Sequence, residues 1–172
     1  MRIIGGKWAG RQLTSPADRR VRPTAEHVRD AWLAHLESSL ARARVVDLFA
    51  GTGALGLEAM SRGARTVDFV ETRPGSLHAL RANVAALHVR ERTRIFKRDA
   101  LPWAAALTAG AYDIAFADPP YGSRMLDRLL ETWLTTPFAG ILTVEHAADH
   151  PLPAAAHTMI FEDTRISIYR TP

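Results

Sequence analysis

The stretch Val45-Val46-Asp47-Leu48-Phe49-Ala50-Gly51-Thr52-Gly53-Ala54-Leu55-Gly56 decides how the chain folds. An apolar run over residues 45–49 reads as a buried strand. It breaks into a glycine-spaced turn, and residues 54–61 read as a helix stopped by Gly63. Glycines at such a turn permit tight folding and a close approach of the backbone to a ligand.

The same alternation continues downstream. Thr66–Glu71 reads as a strand, and Pro74 opens a helix to about Leu87 from a favourable first-turn position. Thr93–Lys97 is a strand, residues 101–109 a short helix, Tyr112–Ala117 a strand, Arg124–Leu134 a helix and Gly140–Glu145 a strand. Thr158–Phe161 and Arg165–Tyr169 follow as two strands with no helix between them. Strands separated by helices imply right-handed parallel crossovers. The expected fold class is α/β: a Rossmann-like doubly wound sheet of about seven strands, mostly parallel with an antiparallel edge strand. Ligands in such sheets sit at the carboxyl ends of the strands.

Upstream, Gly5-Gly6 and Gly10 predict a small hairpin within residues 1–23. Thr24 is placed to cap a helix whose apolar face is Ala25, Val28, Trp32, Leu33, Leu36 and Leu40. One domain over residues 1–172 is expected, with 1–23 a basic arm and 24–172 the ligand-binding core. The formal net charge of +4 is concentrated in that arm, where Arg2, Lys7, Arg11, Arg19, Arg20 and Arg22 face Asp18 alone. A basic arm on a near-neutral body suits a polyanionic partner, although a solvated terminal segment has the same composition.

The chain has no cysteine, which excludes disulfides, thiolate metal sites and a cysteine nucleophile. Methylation of pyrimidine C5, which normally needs a thiolate adduct, is excluded with them. The seven histidines follow no metal-ligand spacing, so no metal is expected. No apolar run reaches the roughly 18 residues of a membrane span, and the first residues are too short for a signal peptide. A cytoplasmic protein is expected.

Gly51, Gly53 and Gly56 satisfy G-x-G-x-x-G, and Glu71 follows Gly51 by 20 residues, a pattern that also suits a dinucleotide binder. Asp47 argues for a different ligand. A carboxylate just before the glycines can meet an ammonium group but would repel a pyrophosphate. Glu71 can accept from both hydroxyls of a ribose, and Asp99 from an adenine amine while Ala100 offers its N–H. One carboxylate at each of three strand ends fits an adenosine joined to an amino acid, as in S-adenosylmethionine. Carboxylates that merely cap helices are the plainer alternative.

Asp118-Pro119-Pro120-Tyr121 follows the strand Tyr112–Ala117. Two prolines stiffen the loop and hold Asp118 extended. An exocyclic base amine is a poor nucleophile because its lone pair is delocalised into the ring. The Asp118 carboxylate and the Pro119 carbonyl can accept its two N–H bonds, which favours the pyramidal, nucleophilic form. Tyr121 can stack on an extruded base, a contact worth roughly 1–3 kcal/mol. Glu145-His146, at a strand end near this loop, suits a structural hydrogen bond as well as a substrate contact. Trp8 and Trp32 read as core, though Trp8 could also stack on RNA.

The order acidic-x-Phe-x-Gly-x-Gly, then Glu71, Asp99 and Asp-Pro-Pro-Tyr, resembles the class I amino-methyltransferases acting on nucleic acids. More narrowly, the chain resembles the bacterial 16S ribosomal RNA (guanine-N2)-methyltransferase family. The stretches that carry this are Arg2–Arg11, Arg22-Pro23-Thr24, Val28-Arg29-Asp30, Asp47–Gly63, Asp118–Tyr121, Val144-Glu145-His146 and Asp163–Tyr169. The resemblance implies S-adenosylmethionine as donor and S-adenosylhomocysteine as product. The acceptor it implies is N2 of one guanine in 16S rRNA, within an assembling small ribosomal subunit, and the enzyme is expected to work as a monomer. It gives Asp47, Gly51, Gly53, Glu71 and Asp99 to the cofactor, and Asp118, Pro119, Pro120 and Tyr121 to catalysis; Phe49, Ala50, Thr72, Ala100 and Thr24 are expected beside the cofactor as well. Arg2, Lys7, Arg11, Arg19, Arg20 and Arg22 are expected to hold RNA. Family members often have Phe-Asn where this chain has Leu33-Ala34, and glycine where it has Glu162. A DNA adenine-N6 or cytosine-N4 methyltransferase could use the same tetrapeptide. A dinucleotide-dependent oxidoreductase is a more distant alternative, as is a module that binds the cofactor structurally.

Overall fold

In a computed structural model, residues 1–16 and 24–172 are described. Arg19, Arg20 and Arg22, expected to hold RNA, lie outside the described residues. Seven strands form one sheet: β1 Arg44–Leu48, β2 Thr66–Val70, β3 Thr93–Phe96, β4 Tyr112–Ala117, β5 Ala139–Ala147, β6 His157–Ile160 and β7 Thr164–Arg170. The helices are α1 Glu26–His35, α2 Glu37–Leu40, α3 Ala54–Ser61, α4 Pro74–Ala86, α5 Ala100–Ala105 and α6 Met125–Thr135.

Strand order is β3-β2-β1-β4-β5-β7-β6. β1 through β5 are parallel, and β7 runs antiparallel between β5 and β6. The chain first winds outward from β1 to β3, then returns to place β4 on the other side of β1. That reversal opens a crevice at the carboxyl ends of β1 and β4, where an open parallel sheet binds its ligands. Successive strand residues point to opposite faces. Val45, Val67, Phe69, Ile114 and Phe116 pack with α1, α3 and α4. Val46, Leu48, Val70, Ala115 and Leu142 pack with α5 and α6. The α/β fold class is the expected one, and α3 and β4 occupy the residues anticipated for them. The antiparallel strand is second from the edge, with β6 outside it.

The anticipated N-terminal hairpin is present: Arg2 bridges Gln12, and a 3-10 turn over Gly6–Trp8 lies between its arms. The N–H groups of Ile3, Gly10 and Leu13 donate to the carbonyls of Arg11, Ile3 and Met1 at 2.9, 2.8 and 3.0 Å. The hairpin backbone is also tied to side chains of α3. The N–H groups of Ile4 and Gly5 donate to Glu58 at 2.8 and 2.7 Å, and that of Trp8 donates to Ser61 Oγ at 2.9 Å. Two other local expectations differ. Thr24 does not cap a helix: α1 starts at Glu26, and Ala25 holds the cap position without a side-chain bond. The helical run expected to reach Leu40 breaks at Leu36, dividing α1 from α2.

Glu58 has no exposed surface. Besides the arm it meets Arg62 at 3.1 Å and Arg29 at 3.7 Å, both nearly buried, while Arg62 also pairs with Asp30 on α1 at 2.6 Å. Burial pulls the Arg29 guanidinium below its ordinary pKa, against the pull of Glu58. Trp32 lies in the same layer, its indole N–H donating to Thr143 Oγ1 on β5 at 2.6 Å.

Glu58→Ala removes one member of this buried ion cluster and leaves the others uncompensated, a loss expected to cost about 3–5 kcal/mol. Urea denaturation of the purified variant checks the magnitude. Hydrogen exchange should show Ile4 and Gly5 losing protection first.

Candidate active site

A cavity of about 1270 Å³ occupies the crevice. Its floor is the carboxyl ends of β1, β2, β4 and β5, and the start of α1 and the turn between β6 and β7 wall it in. Met1, Ser15 and Pro16 of the arm reach its rim, with Thr52 Oγ1 donating to Met1 Sδ at 3.5 Å.

The β1–α3 turn is shaped by backbone geometry. Phe49, Gly51 and Gly53 all have positive φ, at 62°, 56° and 79°. Only glycine adopts this region without cost, so Phe49 is a strained residue at the cavity wall. Gly51 borders the cavity, whereas a Cβ on Gly53 would stand 2.3 Å from Leu80 Cδ1. The Ala50 N–H donates to the Val70 carbonyl at 3.0 Å, tying the turn to β2.

Four expected carboxylates converge here. Asp47 is buried and accepts from the Gly56 N–H at 2.9 Å. Desolvation, only partly offset by that bond, raises its pKa to about 7. Glu71 accepts from the N–H groups of Gly51, Thr72 and Arg73, each at 2.8 Å, and from the Arg73 guanidinium at 3.3 Å. Burial pushes its pKa up, but the Arg73 backbone and guanidinium outweigh burial and hold it below the usual range. Its acceptor positions are full, so hydroxyls arriving there must displace the half-exposed Arg73 side chain. Asp99 caps α5, accepting from Leu101 N–H at 3.1 Å while lining the cavity beside Ala100.

Asp118 leaves β4 next to the end of β1, where Leu48 pairs with Ala117. Burial raises its pKa well above the ordinary value, and the negative charge of Glu145 adds to this. Thr24 Oγ1 lies 3.1 Å from Asp118 Oδ2 and 2.7 Å from Glu145 Oε2. The proline-stiffened loop buries Pro119 and exposes Pro120, and Tyr121 stands 48% exposed at the mouth. The Tyr121 hydroxyl donates to Thr164 Oγ1 at 2.8 Å and lies 3.1 Å from Glu145 Oε1. His27 and Phe161 meet edge to face across the cavity, 6.1 Å between centroids.

The expected RNA-holding residues are dispersed. Arg2 pairs with Glu26 at 3.2 Å at the start of α1. Arg11 reaches the carbonyl of Ala86, at the end of α4 remote from the cavity, at 3.3 Å. Thirteen residues of helix, about 20 Å, separate that point from the rim. Lys7 and Arg92 both stand over the half-buried Trp8 ring, at 5.8 and 5.9 Å. Trp32 is core, as expected. Sequence reading did not assign Glu58, Arg73 or Thr164 to any network, and left Glu145 open between structure and substrate. Among the described residues, no group of three or more acidic or histidine side chains could hold a metal, and no helix could cross a membrane.

Residues 1–167 match the model of a family described as conserved hypothetical protein 95. The chain is 34% identical over 158 residues to ribosomal RNA small subunit methyltransferase D of Escherichia coli strain K12, covering 89% of this chain and 78% of that one. A solved hypothetical protein of Thermus thermophilus is 29% identical with a TM-score of 0.83, covering 99% of both chains. An RNA methyltransferase of Salinibacter ruber, solved with S-adenosyl-L-homocysteine, shares the fold at a TM-score of 0.71 and 14% identity, over 88% and 94% of the two chains.

The raised Asp47 pKa has a consequence for stability. Between the ordinary value of 3.8 and about 7, the folded protein keeps a proton that the unfolded chain releases. Stability should therefore fall as pH rises through that window, by at most about 1.4 kcal/mol per pH unit from this group. Asp47→Asn should flatten the dependence, leaving the share due to Asp118. Denaturant titrations of both proteins at pH 5 and pH 8, without ligand, check it.

Proposed function

The chain belongs to the conserved hypothetical protein 95 family and to that of ribosomal RNA small subunit methyltransferase D, and on that footing we propose that it methylates N2 of a guanine in 16S rRNA. The observation that carries the reading is the meeting of Asp47 and Asp118 at the β1–β4 switch point, in one cavity with Glu71 and Asp99. The first gathers the residues suited to a methyl donor, and the second those suited to a base amine.

The side chains present fit S-adenosylmethionine. Asp47 is a buried carboxylate whose proton is loosely held near neutral pH, and a cationic ammonium beside it would drive that proton off. Gly51 and the N–H side of the strained turn border the same space, with Phe49, Ala50 and Gly53 fixing its shape. Glu71 would take the ribose once Arg73 swings aside, followed by Thr72. Asp99 and the Ala100 N–H would take the adenine. When bound, the cofactor supplies a methyl group on a sulfonium, an electrophile needing no covalent enzyme intermediate.

Asp118 and the Pro119 carbonyl accept the two N–H bonds of the target amine and turn its lone pair toward the methyl donor. Pro120 keeps the loop rigid, and Tyr121 at the mouth supplies a ring for the extruded base. As N2 gains the methyl group it sheds a proton, and Asp118, with its raised affinity for protons, is the acceptor nearest it. Thr24, which lines the same cavity, positions the Asp118 carboxylate. The enzyme works as a monomer in the cytoplasm, and its substrate is an assembling small subunit. Arg2 holds RNA near the target, while Lys7 and Arg11 hold it some 20 Å away.

Asp118→Ala is expected to lower methyl transfer by about 10²–10³-fold or more while S-adenosylhomocysteine affinity, measured by calorimetry, stays near wild type. The deciding assay offers radiolabelled S-adenosylmethionine with small subunits from cells lacking the enzyme, naked rRNA and DNA. Mass spectrometry of the labelled nucleoside should return N2-methylguanosine. N6-methyladenine or N4-methylcytosine would overturn the assignment.

Replacing Lys7 and Arg11 with alanine should weaken RNA binding and reduce its salt dependence, by about one in log–log slope for each phosphate that is no longer neutralised. Filter binding at several salt concentrations reads the slope. An unchanged slope would return both residues to simple solvation.

A further inference from the structure

Glu145 is a buried carboxylate, 5% exposed, whose polar partners among the described residues are hydroxyl groups. Three hydroxyls surround it, and each has a second acceptor in reach. Thr24 Oγ1 also lies 3.1 Å from Asp118 Oδ2, Tyr121 donates to Thr164 Oγ1 at 2.8 Å, and Thr164 donates to the His146 carbonyl at 3.0 Å. Three hydroxyl protons therefore serve the acceptors of Asp118, Glu145, Thr164 and His146 together. A carboxylate has room for about four donors. Among the described residues this cluster has fewer donors than acceptor positions, and an entering group rich in N–H donors would complete it.

Bases that carry an exocyclic amine differ in the ring atom beside it. In guanine the ring atom beside N2 on the Watson–Crick edge is N1–H, a donor, while N3 on the other side is an acceptor. In adenine and cytosine the neighbour of the amine is a bare ring nitrogen, an acceptor. Asp118 and Glu145 sit within two hydrogen-bond lengths of each other, joined through Thr24. A base that lays its amine on Asp118 with its Watson–Crick edge toward Thr24 brings the adjacent ring position on that edge toward Glu145.

We propose that Glu145 selects the base: its carboxylate accepts guanine N1–H beside the N2 amine held by Asp118, and repels the ring nitrogen that adenine or cytosine would present. The assignment rests on the guanine-N2 reading above and supplies its physical reason. Discrimination comes from a donor–acceptor match on one side and an acceptor–acceptor clash on the other. Thr24, Tyr121 and Thr164 are positioning residues that hold the carboxylate toward the cavity.

The experiment replaces the target guanosine, mapped by nucleoside mass spectrometry, with 2-aminopurine riboside in 16S rRNA joined by splinted ligation and assembled into small subunits. 2-Aminopurine keeps the 2-amine but has an acceptor at N1. Wild-type enzyme should methylate it at least about 10²-fold less efficiently than guanine. In Glu145→Gln, guanine turnover should fall and the preference should shrink to within about tenfold, because the amide can donate to N1. Circular dichroism and S-adenosylhomocysteine binding establish that the variant is folded. An unchanged guanine preference in the folded variant would overturn the role of Glu145 while leaving guanine-N2 methylation standing. A wild-type product on adenine or cytosine would overturn both. Should Glu145→Gln not fold, Glu145→Asp carries the test: rate should fall with the preference kept, and a lost preference would overturn the proposal.

Discussion

Much of this structure hangs on one carboxylate that never meets water. Glu58 projects from α3 into a space closed by Arg29, Arg62 and the backbone of Ile4 and Gly5. Taking such a charge out of water is costly unless its partners are in place, and here they come from three segments. The N-terminal arm, α1 and α3 are thereby fixed relative to one another. Because the arm is held, Met1, Ser15 and Pro16 reach the cavity rim; because α1 is held, Thr24 reaches Asp118 and Glu145.

That scaffold supports a cavity lined by carboxylates. Asp47, Glu71, Asp118 and Glu145 share one cavity, and burial works against the charge of Asp47, Glu71 and Asp118. They are treated differently. Glu71 is neutralised by backbone N–H groups and Arg73, and stays ionised. Asp47 and Asp118 lack that support and hold protons more tightly. The interior thus carries strain in its charges that cationic or N–H-rich ligands relieve. Outside, Lys7 and Arg92 flank Trp8 at the opposite end of α4.

The fold was legible because its signals are local. Glycine spacing after an apolar run marks a strand-to-helix turn, and Asp-Pro-Pro-Tyr marks a stiff loop after another strand. Both sit where their residues dictate, and α3 and β4 match their expected spans. What stayed hidden depends on distant partners. Glu58 sits in Leu-Glu-Ala-Met, where nothing nearby shows that it is buried. Thr24 reads as a helix cap because a hydroxyl before an apolar-periodic run is most often one, yet acceptors 94 and 121 residues away claim its proton. The arm reads as a hairpin and is one, but nothing in its own sequence shows that α3 side chains anchor its backbone. Glu145 lies in an ordinary strand pattern, and its surroundings come from three other segments.

Those same separations govern the order in which the molecule can assemble. The shelf at the ends of β1 and β2 is built from residues close in sequence, such as Asp47 with Gly56 and Gly51 with Glu71, nine and 20 positions apart. The wall around Asp118 needs Thr24, Glu145 and Thr164 together, and closing such long loops is slow. A chain still emerging during synthesis would have the β1–β2 shelf in hand while the opposite wall was missing. The wall around Asp118 is complete only once β7, which carries Thr164, has paired with β5.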